Sequence, residues 1–378
     1  MQTSKLSSWV EIDTTTLANN IKSIKNFLKS GVLLTTVVKA NGYGHGAVEV
    51  AKVAISNGAD RLAVARVEEG IQLREAGITV PIQVLSAIPM DSVSEVINGN
   101  IIPSLAFFDL AKRVSDIATE RNKIVKVHIK IDTGMSRYGV SENEAVKFIE
   151  AVIKLPNMQI EGIFTHFASA DEEDLSFTHE QAMRFEKIVN KFKVPLIHAS
   201  NSAATLRFPQ YHYDMVRVGL VTYGISPIIQ LPKGIILHPV LSFKSRVGLI
   251  KRLEIGDTVG YGRTFAAKGP MIVALVMCGY ADGLPRFLSN KGFVLINGKR
   301  CKILGRVSMD QMTVDISEVK NVQIDNEVVL IGKQGKEEVT ADEMAQWAST
   351  IPYEIITGIS QRVPRLYYKS KNDLPDNY

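Results

Sequence analysis

Across the first 235 or so residues the chain alternates short apolar, β-branched runs with longer stretches whose apolar positions recur at helical spacing. Strands and helices taking turns in this way build a parallel sheet covered by helices. Eight runs read as strands: 33–38, 62–65, 82–85, 101–105, 125–131, 160–165, 194–197 and 215–218. Helical stretches such as GAVEVAKVAISNGA and VEEGIQLREAG lie between them, each closing near a glycine, as helices commonly do. Eight β/α units predict an α/β fold whose N-terminal domain, residues 1–235, is a (β/α)8 TIM barrel.

From Ile236 the texture changes. Short strands follow at close spacing, FVLINGKRCKI carries the hairpin signal Asn297-Gly298, and TADEMAQWAS is the clearest helical pattern. Residues 236–378 are therefore expected to form a mainly β C-terminal domain, with KSKNDLPDNY as a frayed polar tail. There is no internal repeat and no low-complexity tract.

Composition narrows the function classes. With 46% apolar residues in 378, the chain can bury the core of a barrel and a second domain. No apolar run approaches the roughly 20 residues that span a bilayer, and MQTSKLSSWV lacks the apolar stretch of a signal peptide. A soluble, cytoplasmic protein with no membrane partner is expected. Cys278 and Cys301 do not form the closely spaced pairs of zinc sites, so no metal is expected, and a reducing compartment suits them. The net charge of +5 is spread along the chain, with no basic tract to mark a nucleic-acid partner.

Barrel active sites sit at the C-terminal ends of the strands, so the residues that follow each run carry the chemistry. The first strand ends in Lys39 and the loop Ala-Asn-Gly-Tyr43-Gly-His-Gly, and the fifth runs through Lys130 into Asp132-Thr-Gly-Met-Ser-Arg137. The sixth ends at His166, the seventh leads to His198, Asn201 and Ser202, and the eighth carries Arg217 before Gly219 and Leu220. The loops after the last two strands are a common phosphate site, and Ser202 with a side-chain-free Gly219 suits one. Singly, these residues also read as ordinary turn residues, and Lys39 as a solvated strand-end lysine. A phosphate on one side of the mouth and a lysine on the other point together to pyridoxal phosphate.

The stretch Val37-Val38-Lys39-Ala40-Asn41-Gly42-Tyr43-Gly44-His45-Gly46 resembles the cofactor-lysine motif of alanine racemases. The similarity continues through Lys130 to Arg137, Thr165-His166-Phe167, His198 to Ser202 and Arg217-Val-Gly219. In the second domain it takes in Gly260-Tyr261-Gly262, Gly279 to Gly283, Gly305 to Asp310, and Tyr353 before Arg362-Val-Pro-Arg365. Gly42 stands where relatives have alanine, and Ser308 where cysteine is common; neither change removes a functional group.

The resemblance implies a head-to-tail homodimer in which each site borrows Tyr261 and Met309 from the partner's second domain. It implies Tyr43, Ser202, Gly219, Leu220 and Tyr353 as phosphate ligands, with His166 and Asn201 also around the cofactor. Arg137 is placed near the cofactor's phenolic oxygen and, with Met309, at the substrate. Lys130 corresponds to a lysine that is often carbamylated and then steadies that arginine; an ion pair is its plainer reading. Asp171, Tyr280, Arg286, Arg306 and Ile351 fall near positions lining the substrate's way in. His45 and His198 read as contact residues rather than proton carriers.

Racemisation needs two acid–base groups on opposite faces of the α-carbon, and these are expected to be Lys39 for D-alanine and Tyr261 for L-alanine. A tyrosine normally titrates near pH 10, so Tyr261 needs donors or positive charge close by, which His166 and Arg217 are suited to supply. An arginine at the cofactor's pyridine nitrogen can only donate, which leaves that nitrogen unprotonated and disfavours transamination. The expected activity is interconversion of L- and D-alanine, supplying D-alanine for peptidoglycan or catabolising it. The alternatives are a racemase of serine or another amino acid on this scaffold, an amino-acid decarboxylase, or a non-catalytic cofactor carrier. Arg217 argues against the decarboxylase and the second domain against the carrier.

Overall fold

The computed structural model describes residues 3–369, so the expected polar tail beyond Lys369 lies outside the described residues. Contacts divide the chain into two units, Leu17–His238 and a second one that joins the first sixteen residues to everything from Pro239 onward. The chain opens with strand β1 (Ser8–Asp13), which belongs to the second unit.

The first unit contains β2 (Leu33–Val37), β3 (Arg61–Val64), β4 (Ile82–Val84), β5 (Ser104–Leu105), β6 (Val125–Asp132), β7 (Val140–Ser141), β8 (Met158–Phe164), β9 (Leu196–His198) and β10 (Met215–Val218). Apart from the short β7, which pairs with β6, these fall at the eight predicted runs. Parallel pairing runs β10-β2-β3-β4 and β5-β6-β8-β9. A bridge between Gln83 and Ile102 joins the two arcs on one side. On the other, the Arg217 and Asp214 N–H groups each donate at 3.0 Å to the carbonyls of Ser200 and Ile197. The eight-stranded barrel is thereby closed.

Barrel strands are buried on both faces, which explains their near-continuous apolar runs. In β6 the alternation sorts Val127, Ile129 and Ile131 onto one face and His128 and Lys130 onto the other, and all five are buried. Arg61 on β3 pairs with Glu161 on β8, strands that are not neighbours, so polar side chains cross the barrel interior. Fully buried aliphatic side chains such as Leu34, Leu62 and Ile82 offset that polar content, each contributing about 1.5–3 kcal/mol.

The second unit contains β11 (Leu241–Leu253), β12 (Thr258–Val259), β13 (Phe265–Ala266), β14 (Met271–Val276), β15 (Phe293–Ile296), β16 (Lys299–Leu304), β17 (Met312–Asp315), β18 (Glu327–Gln334), β19 (Glu337–Val339) and β20 (Arg365–Tyr368). The pairing β11-β14-β17-β16-β15-β18 returns to β11, a closed ring. Asn297 and Gly298, at φ 48° and 72°, make the predicted two-residue hairpin between β15 and β16. The predicted helix is Ala341–Ala348, capped by Thr340 and Glu343.

The expected first domain of 1–235 differs from the structure at its start. β1 lies between β11 and β20, antiparallel to the first (Ser8 opposite Ser245) and parallel to the second (Val10 opposite Arg365). Trp9, Val10 and Ile12 are buried there, and Lys244 bonds Glu11 at 2.9 Å.

Candidate active site

β2 delivers the chain into a turn, Lys39–Tyr43, that few sequences tolerate. Ala40, Asn41, Gly42 and Tyr43 stand at φ 51°, 52°, 61° and 52°, all left-handed. Non-glycine residues enter that region at a cost, so neighbours must hold them there. Glu69, on the helix Val67–Glu75, accepts the Ala40 N–H at 2.6 Å and the Ala65 N–H at 2.8 Å. Asn41 accepts the Ala47 N–H at 3.0 Å. The Tyr43 ring packs 4.9 Å from that of Tyr223, whose hydroxyl donates to the Val37 carbonyl at 3.1 Å.

Held in this way, the Lys39 amine lies 6.0 Å from the centre of the Tyr43 ring. Burial, and then Arg137, lower its pKa from the ordinary lysine value, while Glu69 pulls the other way. A neutral amine is the form that condenses with a carbonyl or accepts a proton.

Next to Tyr43 lies Gly219, where an added Cβ would come within 2.3 Å of the Tyr43 hydroxyl, so no side chain fits. The Gly219 N–H donates to the Ser202 hydroxyl at 3.0 Å. Two short helical turns start here, Ser202–Arg207 and Leu220–Tyr223, and first-turn N–H groups have no partner within a helix. Asn201 caps the former, its side chain accepting the Ala204 N–H at 3.0 Å. Two hydroxyls and backbone donors gathered around a bare Cα suit a phosphate, and Lys39 suits an aldehyde. This donor set fits pyridoxal phosphate.

Arg217 lies deeper, almost wholly buried. Its Nη1 donates to His198 Nδ1 at 2.6 Å, and its Nη2 to the carbonyls of Thr165 and Ala199, both at 2.8 Å, with His166 Nδ1 at 3.3 Å. Its guanidinium stacks 5.2 Å from the Phe164 ring. Burial lowers its pKa to about 9, which still leaves it a charged donor near neutral pH. Burial and then Arg217 push His166 well below its usual pKa, so that ring is neutral.

Lys130 on β6 is buried between the rings of Tyr138 at 5.4 Å and Phe164 at 5.7 Å. Burial, then Arg137 and Arg217, lower its pKa to about 8. Four cationic side chains, Lys39, Lys130, Arg137 and Arg217, thus act on one another at one end of the barrel. Such a cluster calls for anions. Among the described residues, no group of three or more His, Cys, Asp or Glu is placed to hold a metal ion.

Lys39, Tyr43, Arg137, His166, Asn201, Ser202, Arg217, Gly219 and Leu220 all lie on the first unit. Tyr261, Met309 and Tyr353 lie on the second. Tyr261 opens a turn between Gly260 and Gly262, both at positive φ, and is 71% exposed. Met309 is 53% exposed, in a loop whose carbonyl accepts the Ala281 N–H at 2.9 Å. Gly279 makes that loop possible, because a Cβ there would lie 2.4 Å from the Met309 carbonyl. Tyr353 is the second residue of the helix Pro352–Thr357.

Sequence reasoning passed over Glu69, which reads as an ordinary acidic residue in a first helical turn. It also passed over His128, Glu161 and Arg61; in KVHIKID, the alternation of polar residues along a buried strand was the available signal.

Comparison with known proteins gives one answer for both units. The family described as alanine racemase, N-terminal domain, matches residues 12–227, and alanine racemase, C-terminal domain, matches residues 240–367. An alanine racemase of Halothermothrix orenii is 45% identical over 365 residues, covering 95% of this chain and 96% of that protein. The solved alanine racemase of Clostridium difficile 630 superposes with a TM-score of 0.91 at 38% identity, over 96% of each chain. That of Bartonella henselae, described with covalently bound pyridoxal phosphate, gives 0.88 at 28% identity, over 96% of this chain and all of the other.

Proposed function

This chain belongs to the alanine racemase family, and from that premise we propose that Lys39 and Tyr261 move the α-proton of alanine on opposite faces of the substrate carbon. The protein is an isomerase that interconverts L- and D-alanine and depends on pyridoxal 5'-phosphate. When bound, the cofactor supplies an electron-withdrawing ring that takes up negative charge from the α-carbon. The rest falls to residues of the chain.

With the cofactor bound, Tyr43, Ser202, Gly219, Leu220 and Tyr353 would hold the phosphate, Arg217 would donate to the ring nitrogen, and His166 and Asn201 would shape the surrounding wall. Arg137 and Met309 face the substrate. Lys39 exchanges its proton with D-alanine; its half-buried position, which favours the neutral amine, supports this role. Tyr261 of the partner subunit serves L-alanine. Lys130, carbamylated, neutralises part of the cation cluster and steadies Arg137.

A homodimer is part of this reading. It is supported by the exposure of Tyr261 and Met309, together with Tyr280, Phe287 and Ile351, on the second unit, a set of large apolar side chains that a partner would cover. Residence in the cytoplasm is supported by two buried, unpaired cysteines. No helix among the described residues is long and apolar enough to cross a membrane. In the cell the enzyme supplies D-alanine for peptidoglycan or returns it to the L form.

The observation that carries the reading is Arg217, a buried cationic donor where a decarboxylase of this scaffold would place a carboxylate. The test is to incubate the cofactor-loaded protein with L-alanine in heavy water and separate the enantiomers. D-alanine labelled at the α-carbon is expected. Label confined to L-alanine would show a base working on the L face alone and remove Lys39 as the base on the opposite face, and release of carbon dioxide would restore the decarboxylase.

A further inference from the structure

Beneath Arg217 a line of hydrogen bonds crosses the barrel interior and has no part in the chemistry described so far. Arg217 Nη1 donates to His198 Nδ1 at 2.6 Å. His198 Nε2 lies 2.8 Å from His128 Nδ1, and His128 Nε2 lies 3.1 Å from Glu161 Oε2. The same carboxylate accepts from Arg61 and, through Oε1, from Lys126 at 2.9 Å. Both histidines are fully buried, and Arg61 and Glu161 nearly so.

A guanidinium can only donate, and a carboxylate gripped by two cations can only accept. The two ends therefore dictate the direction of every bond between them. His198 Nδ1 must accept, so a neutral His198 carries its proton on Nε2. That proton goes to His128 Nδ1, and the proton of His128 in turn sits on Nε2, facing Glu161. Each ring nitrogen has one partner in its one permitted role, so a proton on either Nδ1 would set two donors against each other.

The packing is built around this line. Gly162 lies against the His128 ring, and a Cβ there would meet its Cε1 and Nδ1 at 2.7 Å. The ring of Phe164 stacks on His198 at 4.8 Å with a 2° tilt, and Arg217 lies over the same ring. Burial and nearby arginines push both histidines towards the neutral form. Burial pushes the Glu161 carboxyl up, but hydrogen bonds from His128, Arg61 and Lys126 outweigh it and hold the group ionised.

We propose that His128, Glu161 and Arg61 are positioning residues for the racemase reaction: with His198 they form a one-way hydrogen-bond chain that locks Arg217 as a charged donor in a single orientation. The carboxylate at the far end gives the line its terminal acceptor, two neutral rings away from the guanidinium and so removed from the cofactor's nitrogen. A chain with a fixed direction holds its terminal donor more rigidly than backbone carbonyls alone, as neighbours that set a histidine tautomer do elsewhere.

The proposal rests on the reading of Arg217 as the residue facing the cofactor ring. Neutron diffraction from crystals of the deuterated, cofactor-loaded enzyme tests the chain directly. Deuterium is expected on Nε2 of both His128 and His198, with none on either Nδ1 or on Glu161. Deuterium on Nδ1 of either ring overturns the proposal. In solution, Glu161→Gln should lower kcat for alanine by about tenfold or more and shift the absorption band of the bound cofactor, the scale on which losing a histidine-orienting partner acts. Gly162→Ala, which displaces the His128 ring without removing a charge, should shift the band in the same direction. A folded Glu161→Gln enzyme with an unmoved band and kcat within about twofold of wild type would mean that the cluster only holds the barrel together. If the reading of Arg217 itself is wrong, the same neutron map shows no Arg217 N–D directed at the cofactor's ring nitrogen; failure of the chain alone leaves that contact in place with deuterium on an Nδ1.

Discussion

Lys39 and Tyr261, the two groups assigned to the α-proton, sit in opposite kinds of surroundings. Lys39 follows a buried strand, heads a turn of four left-handed residues tied down by Glu69 and Asn41, and has its pKa lowered by burial and Arg137. Tyr261 opens a turn with a left-handed glycine on each side and presents 71% of its surface to solvent. The first is a finished environment, whose chemistry is tuned by its own barrel. The second is a glycine-flanked turn carrying an exposed side chain, and a phenol becomes a base near neutral pH only among donors or cations. On the proposed reading, the contrast is between a half-site that the chain builds to completion and a half-site that it presents for use in a second copy.

The sharpest way to break this contrast is Tyr261→Phe, which removes the exposed group and leaves the Lys39 environment untouched. Racemisation should fall by about 10²–10⁴-fold, the usual worth of a general acid–base group. D-alanine in heavy water should still gain α-deuterium through Lys39 while no L-alanine appears; equal losses of exchange and racemisation would show that the two groups do not act on separate faces. A smaller effect is expected from Gly219→Ala, which forces a methyl group against the Tyr43 hydroxyl. Filling occupied space costs about 1–3 kcal/mol, so equilibrium dialysis should show cofactor affinity weakened by about tenfold or more.

The mildest effect concerns Lys130. Its pKa is lowered to about 8, chiefly by burial, so its neutral, carbon-dioxide-reactive form grows as pH rises through that value. Carbamate formation in bicarbonate, followed by carbon-13 NMR on labelled carbonate, should therefore increase between about pH 7 and 9. A signal that falls over that range would contradict the assignment.

How much of this was legible in the sequence varies from residue to residue, for physical reasons. The eight barrel strands are readable because each is a buried apolar run bounded by helical periodicity. Lys39, Ser202 and Gly219 stand at strand ends, where a barrel gathers its chemistry. β1 was assigned to the wrong unit because its partners, Ser245 and Arg365 among them, are hundreds of residues away, and SWVEID alternates equally well for either sheet. Arg61, His128 and Glu161 stayed hidden because their meaning depends on closure of the barrel: Arg61 and Glu161 come from strands that are not adjacent. Glu69 escaped because its role is to hold the backbone of Ala40, 29 positions earlier in the chain.

The central claim, that Lys39 and Tyr261 act in one site while belonging to different copies of the chain, is tested most directly by mixing two inactive variants. Lys39→Ala and Tyr261→Phe proteins, each inactive alone, are denatured together in equal amounts, refolded with cofactor and assayed for racemisation. If the site is shared, half of the dimers are hybrids and each hybrid holds one intact site, so activity should return to about one quarter of wild type. If both groups act within a single chain, every site in the mixture remains defective and no activity returns, which would contradict the account.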